Sequence, residues 1–163
     1  MHTITYEGID PAELERVLAS GVDHGGNPIE PYIDDEGGMP LRCCMADAVR
    51  GDRLAIIAWS PFRWQNAYRE TGPIVVHTEG CEPVASLDAL PPDMNLRPMI
   101  LRPYGPDHTI AYHHVRQIPA AEGLGQHVED LLALDDVELV QGRNPVGGCY
   151  AFTASPAARS TNR

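Results

Sequence analysis

The sequence has no lysine, so all 12 of its basic residues are arginine, and 23 acidic residues bring the formal net charge to −11. Without lysine, no Schiff base can form with a carbonyl substrate or with pyridoxal phosphate, and the phosphate-binding loop that ends in lysine is excluded. Nucleic acids and acidic membrane surfaces are bound by clustered basic side chains. An acidic chain without a basic run is therefore expected to bind neither of them.

Long apolar runs and export signals are also lacking. The longest aliphatic run, Leu54–Trp59, is too short to span a bilayer. Residues 1–8 show neither the basic nor the apolar region of a secretory signal. The cysteines include an adjacent pair and form no Cys-x-x-Cys motif, which is unlike a disulfide framework. We therefore expect a cytoplasmic protein with reduced thiols at Cys43, Cys44, Cys81 and Cys149.

Hydrophobic periodicity predicts an α+β fold. One helix begins at Pro11 after the capping residue Asp10 and ends before Gly21, and a second covers residues 120–134. Eight segments have strand character: residues 2–6, 41–46, 53–60, 73–79, 98–104, 109–117, 137–142 and 149–154. Hairpins outnumber crossovers, which favours a single domain over residues 1–154 with a mostly antiparallel sheet. Residues 155–163 are predicted to be a flexible tail.

The segment 21–40 is rich in Gly, Pro, Asp and Glu and is predicted to lack regular structure. It carries Asp34, Asp35 and Glu36 in succession. Their spacing differs from that of a calcium-binding loop, which alternates its ligands and closes with a bidentate glutamate. We interpret this stretch as a solvated acidic loop.

Several stretches together resemble a family of bacterial proteins of unknown function, family 1203. They are Pro40-Leu41-Arg42-Cys43-Cys44, Ser60-Pro61-Phe62, Tyr68-Arg69-Glu70-Thr71-Gly72-Pro73-Ile74 with His77 and Cys81, and Arg143-Asn144 with Gly148-Cys149-Tyr150. The resemblance covers about residues 40–153 and implies one small domain. It implies no activity and transfers no catalytic residue.

A thiol nucleophile is one hypothesis for the chemistry of the chain. It requires a cysteine whose base lies within hydrogen-bond reach, and Cys44 with His77 is the pair we favour as catalytic residues. Arg42 or Arg69 would support the thiolate. Because residues 41–46 are predicted to be a strand, Cys43 and Cys44 are expected to face opposite sides of it.

Zinc is an alternative, because thiolate and imidazole are its preferred ligands. Cys43, Cys44, His77, Cys81 and Cys149 supply five such groups, and four would suffice. Their spacing is unlike a zinc finger, so distant segments would have to converge. His77 and Cys81 could chelate together only if the strand ends between them. The leading interpretation accordingly assigns no metal and no cofactor.

An anionic small molecule is the ligand that the remaining candidates favour. Residues 59–64 contain both tryptophans and a phenylalanine, which could form a pocket wall, and arginine is the only permanent cation. Glu70 is expected to pair with Arg42 or Arg69. The predicted ligand-binding residues are Arg42, Trp59, Trp64, Arg69, Glu70, Arg102 and Cys149.

The pair His113-His114 is predicted to lie on a strand, so its rings should point to opposite faces. On one face, Tyr112, His114 and Arg116 would join Arg102 in a cationic surface. A solvent-facing sheet surface is the interpretation that we favour for the same residues, because half-buried strands usually alternate in this way.

Three functional classes stay open from the sequence. The first is a small-molecule enzyme or binding protein with a pocket of Cys, His and Arg side chains. The second is a non-catalytic domain whose acidic surface contacts a protein, and the third is a zinc-stabilised domain. Motifs of serine hydrolases, zincins and dinucleotide enzymes are absent.

Overall fold

The computed structural model describes residues 3–157, which form two antiparallel sheets and three α-helices. The α+β class is therefore confirmed, with nine strands in the described part of the chain. In chain order the elements are β1 (Ile4–Glu7), α1 (Pro11–Ser20), β2 (Tyr32–Ile33), β3 (Arg53–Trp59), β4 (Gly72–His77), β5 (Ser86–Leu87), α2 (Pro92–Asn95), β6 (Met99–Tyr104), β7 (Arg116–Ile118), α3 (Leu124–Leu132), β8 (Leu139–Arg143) and β9 (Tyr150–Pro156). Among residues 3–157, no helix has the length and apolar character needed to cross a membrane.

The large sheet has six strands in the order β5-β1-β9-β8-β6-β7. Helix α3 packs against one face of it, because its apolar residues recur every three or four positions. Leu124, Val128 and Leu131 are fully buried there against Leu101 and Phe152 from the sheet. This large-sheet core leaves the opposite face of β6 and β8 to polar side chains.

The small sheet has three strands in the order β2-β3-β4. Its core is separate from the first and contains Leu14 and Val17 of α1 together with Leu54 and Val76 of β3 and β4. Tyr150 at the start of β9 also packs into this core, so β9 connects the two halves of the molecule.

Helix α1 begins and ends where local sequence chemistry predicts. The Asp10 carboxylate accepts hydrogen bonds from the N–H groups of Ala12 and Glu13, at 2.8 and 3.1 Å. The helix stops at Gly21, whose φ of 71° is a left-handed conformation that glycine adopts without strain.

The strand predicted over residues 41–46 is wrong. The segment is a series of bends that makes isolated bridges at each end, one of them a parallel bridge between Leu41 and Val75. Met45, with a φ of 57°, turns the chain directly after Cys44. Adjacent side chains in a bend need not diverge, so the expectation that Cys43 and Cys44 face opposite sides is also wrong.

The strand predicted over residues 109–117 is replaced by a bridge, a 3₁₀ turn at Tyr112–His114 and the short strand β7. Register in β7 pairs Arg116 with Leu101, which places Arg116 on the α3 side of the sheet, opposite to Arg102. The predicted common cationic face of Arg102, Tyr112, His114 and Arg116 therefore does not exist.

Residues 21–40 include strand β2, and Asp34 is buried rather than solvated. Its carboxylate accepts hydrogen bonds from the N–H groups of Glu36 and Gly37, both at 3.2 Å, and so fixes the turn. At the other end of the chain, β9 continues through Ser155 and Pro156, which pair with β1. Residues 158–163 of the predicted tail lie outside the described residues.

Candidate functional site

Three thiols and one imidazole meet at the end of the small sheet. We call Cys43, Cys44, His77 and Cys81 the thiol cluster; one ligand atom from each lies within 4.8 Å of all the others. The His77 Nδ1 atom is 3.5 Å from Cys43 Sγ and 3.9 Å from Cys44 Sγ. A zinc tetrahedron with Zn–S bonds of about 2.3 Å has ligand-to-ligand edges of about 3.8 Å. The cluster therefore needs only a small contraction to match that geometry.

Two turns bring these side chains together. Strand β4 ends at His77, and Gly80, with a φ of 69°, turns the chain so that Cys81 returns to the histidine. The bent segment with Cys43 and Cys44 is held by a hydrogen bond from the Arg42 N–H to the Val75 carbonyl, at 3.0 Å. The strand thus ends between His77 and Cys81, which is the condition for joint chelation.

The cluster also has supporting hydrogen bonds. The backbone N–H of His77 donates to Cys43 Sγ at 3.3 Å. The Nε2 atom of His77 lies 3.1 Å from Asp52 Oδ2, which also accepts from the Val49 N–H at 2.8 Å. Sequence reasoning missed Asp52. The register of the β3–β4 hairpin, in which Leu54 pairs with His77, could have placed it next to the imidazole.

The protonated thiol is favoured at two of the three cysteines of the cluster. Burial raises the pKa of Cys43, and it raises the pKa of Cys81 as well, where the neighbouring thiols add to the effect. A nucleophile at either of these two positions would require the opposite shift, toward thiolate at neutral pH. A divalent cation would supply the missing positive charge, since coordinated thiols are deprotonated.

The predicted catalytic pair, Cys44 and His77, is brought together by the fold, and its catalytic role stays a prediction. The proposed arginine support is not seen. Arg42 is buried and donates from Nε to the Tyr150 carbonyl, and Arg69 donates from Nη1 to the Trp64 carbonyl at 3.1 Å.

Cys149 lies apart from the thiol cluster. It lines a cavity of about 160 Å³ together with two other predicted ligand residues, Trp59 and Glu70, and with Arg143, whose role sequence reasoning missed. We call this the Arg143 cavity. On its other side, Cys149 and Arg42 line an open groove of about 360 Å³.

Glu70 does not pair with Arg42 or Arg69 as the sequence predicted. Its two carboxylate oxygens accept from Arg102 Nη1 at 2.7 Å and from Arg143 Nη1 at 2.9 Å. The reason is that the segment between β3 and β4 crosses onto the polar face of the large sheet. Register places Ile100 opposite Arg143 and Arg102 opposite Gln141, so both arginines share that face.

Trp64, the last predicted ligand residue, lies in the same connecting segment. Its ring stacks on His108 with centroids 4.3 Å apart and contacts the edges of Phe62 and Tyr104. It lines neither of the two cavities described above. Trp59 stacks instead on His24, at 4.4 Å, beside a further cavity of about 220 Å³ that Arg69 also lines.

His113 and His114 do not point to opposite faces, since they lie in the 3₁₀ turn and their rings are 4.0 Å apart. Both approach Asp136, at 3.3 and 3.2 Å. His113 and Asp136 are exposed, so this cluster resembles a surface ion pair more than a built site.

The protein is thus a small α+β domain in which three cysteines and one histidine lie close together at the end of the small sheet. The family described as "Protein of unknown function (DUF1203)" matches residues 38–155, which is more than half of the chain, and the protein belongs to that family. The match includes every residue of the thiol cluster and of the Arg143 cavity. No curated protein and no solved structure matches the chain.

Proposed function

We propose that the protein is a zinc-binding domain in which Cys43, Cys44, His77 and Cys81 hold one zinc ion. The observation that carries the proposal is the mutual approach of four ligand atoms from three separate segments to within 4.8 Å. Three thiolates and one neutral imidazole are a known structural zinc set. Hard cations such as Mg²⁺ and Ca²⁺ prefer oxygen ligands, which this cluster does not offer.

The zinc ion in this proposal is structural. Four protein ligands complete a tetrahedral shell and leave no open position for water or substrate, which a catalytic zinc requires. Cys43 is fully buried, and Cys44, His77 and Cys81 are half-buried, so the protein surrounds most of the cluster. The ion would tie the bend at residues 41–46 to the end of β4 and to the following turn.

The position of Asp52 supports the same proposal. Histidine ligands of zinc usually donate their second ring N–H to a carboxylate, which fixes the tautomer and strengthens the ligand. With Nδ1 facing the thiols, Nε2–H donates to Asp52 Oδ2 at 3.1 Å. A cysteine nucleophile would need His77 as a base for one thiol only, and it would leave the other two cysteines without a role.

The test is metal analysis of protein purified without a polyhistidine tag or chelators. We expect about one equivalent of zinc per chain. Reconstitution with Co²⁺ should give thiolate-to-cobalt charge-transfer absorption and the intense visible bands of a tetrahedral site. A Cys81→Ser variant should lose zinc stoichiometry and both cobalt features.

Cys149→Ser is the matched control, because it removes a half-buried cysteine outside the cluster and should leave the zinc content unchanged. Protein that contains no zinc and gives no tetrahedral cobalt spectrum after reconstitution would contradict the proposal. Equal loss of zinc in both serine variants would contradict the assigned ligand set.

The cysteine-enzyme and protein-interaction hypotheses have less structural support than the zinc proposal. A zinc–thiolate centre needs reduced cysteines, which supports the cytoplasmic location expected from the cysteine pattern. The cysteine-enzyme hypothesis predicts a thiol that reacts at pH 6 faster than free cysteine. Labelling of metal-free protein tests it. The acidic protein-interaction hypothesis has no specific contact to support it in the described residues.

A further inference from the structure

A second site of a different kind lies on the polar face of the large sheet. We propose that the Arg143 cavity binds a small organic monocarboxylate, held by Arg143 with Arg102 in support. The inference does not rest on the zinc proposal, since no residue of the thiol cluster lines this cavity.

The first argument is charge. Arg102 and Arg143 share the single carboxylate of Glu70, so the group carries one uncompensated positive charge in a protein whose net charge is −11. The Arg143 side chain is only 7% exposed, and a buried charge is costly unless it is paired. Burial and the nearby Arg102 lower the pKa of Arg143, which agrees with an under-compensated cation.

The second argument is the hydrogen-bond inventory. Arg143 Nη2 donates to Gln141 Oε1 at 2.6 Å, and its Nη1 donates to the Gly148 carbonyl at 3.4 Å. Its Nε–H is buried and has no partner among residues 3–157. Buried donors normally have acceptors, and Arg143 lines the cavity. An anionic ligand with an acceptor oxygen is the kind of partner that this unpaired donor favours.

The third argument is the cavity itself. Its volume of about 160 Å³ is close to that of an engineered cavity that holds one benzene molecule, about 150 Å³. Trp59, Pro61, Pro73 and Tyr150 supply ring surfaces around it. A carboxylate with a short hydrocarbon or single-ring tail matches both the charge of +1 and these walls. A phosphate dianion exceeds the charge and has no apolar part.

Glu70 determines how strongly such an anion binds. Its carboxylate lines the cavity and competes for the two guanidinium groups. Removing its charge should therefore strengthen anion binding even though it removes two ion pairs. A purely structural ion-pair network predicts no anion binding in either form.

The experiment is a titration of zinc-replete protein with sodium propionate and with sodium benzoate, at constant ionic strength, followed by ¹H–¹⁵N NMR. The two tryptophans give an internal control, since Trp59 lines the cavity and Trp64 does not. We expect the Arg143 Nε–H and Trp59 indole signals to shift and to saturate with propionate, benzoate or both, and the Trp64 indole signal to move less.

Three variants test the assignment without truncating the buried arginine. Glu70→Gln should raise carboxylate affinity about tenfold, and Arg102→Gln should lower it about tenfold, in line with hydrogen bonds to charged groups. Glu79→Gln, which removes an exposed carboxylate 3.9 Å from Arg53, should change nothing.

Absence of saturable shifts with either carboxylate, in the wild type and in Glu70→Gln, would overturn the proposal. Equal shifts with chloride would identify general screening and overturn it as well. Saturable binding of inorganic phosphate without carboxylate binding would overturn the ligand class. Loss of zinc from Cys81→Ser with carboxylate binding retained would confirm that the two sites are independent.

Discussion

The large sheet has six strands, with α3 packed on one face, whereas the small sheet has three strands. The large-sheet core is continuous, and its helix contributes three fully buried side chains. The small-sheet core depends on α1, on long irregular segments and on the buried Cys43. Small cores often require a metal or other cross-link. The thiol cluster lies beside the small-sheet core, where the proposed zinc would add such a cross-link.

The largest expected effect is that of metal removal. Chelation of the proposed zinc should abolish hydrogen-exchange protection in β3 and β4 while β8 and β9 keep theirs, because only the small-sheet half contains the ligands. Hydrogen exchange with mass spectrometry measures both halves in one sample. Equal loss of protection in both sheets would show that the halves are a single cooperative unit.

A substitution in the large sheet should have a smaller effect on the opposite half. A Cβ atom at Gly142 would lie 2.3 Å from Cε1 of Phe152, its partner on β9. Gly142→Ala should therefore lower the free energy of unfolding by about 1–3 kcal/mol through overpacking. The cobalt spectrum of the thiol cluster should not change.

Gly72→Ala is the matched control for that substitution. Gly72 begins β4, and a Cβ there meets nothing within 4 Å. Urea unfolding should show the control at or slightly above wild-type stability. A loss as large as that of Gly142→Ala would mean that the contact with Phe152 is not the cause.

The ionised carboxylate of Asp23 makes the stability of the small-sheet half depend on pH in the acid range. Burial raises the pKa of Asp23, but hydrogen bonds from the N–H groups of Ala58, Asn27 and Gly25 outweigh it and lower the pKa to about 2. A carboxyl whose folded pKa lies below its unfolded value of 3.8 stabilises the fold above that value, and the contribution is lost as the pH falls toward 2.

The stability difference between wild type and Asp23→Asn should accordingly be full at neutral pH and shrink from about pH 4 to about pH 2. A carboxyl titration of wild type by ¹³C NMR measures the pKa directly, with the exposed Asp35→Asn as a control variant. A midpoint for Asp23 near 4 would refute the role given to these hydrogen bonds.

The smallest effect is expected from the exposed ion pair of Arg53 and Glu79, which flanks the thiol cluster. The two charges are 3.9 Å apart, and their side chains are 45% and 70% exposed. Glu79→Gln should change the free energy of unfolding by less than about 0.5 kcal/mol, as for other surface pairs. Thermal unfolding of zinc-replete protein checks it. A larger loss would show that the turn itself depends on this charge.

Sequence reasoning worked where the chemistry is local and failed where tertiary contacts decide. Asp10 and Gly21 bound α1 as predicted, because a cap needs only its own helix. Residues 41–46 have strand-like composition, but isolated bridges at both ends and the turn at Met45 hold them in bends. That bend is what allows Cys43 and Cys44 to reach one histidine.

The same limit applies to the two sites. The five candidate zinc ligands were identified by residue type, and which four converge depended on the unpredicted bend. Glu70 was expected to pair within its own neighbourhood of the chain. Its true partners, Arg102 and Arg143, lie on strands of the other sheet, and no pattern around Glu70 reveals that crossing.

The position of β9 has a consequence for the order in which the chain can fold during synthesis. β9 lies between β1 and β8, and it pairs Ile4 with Pro156, so the large sheet cannot be closed until residues 150–156 have been made. Every strand of the small sheet and every residue of the thiol cluster has been made by residue 81. A nascent chain that ends at residue 81 therefore already carries the complete set of proposed zinc ligands, although strand β9 at the centre of the large sheet has not yet been made.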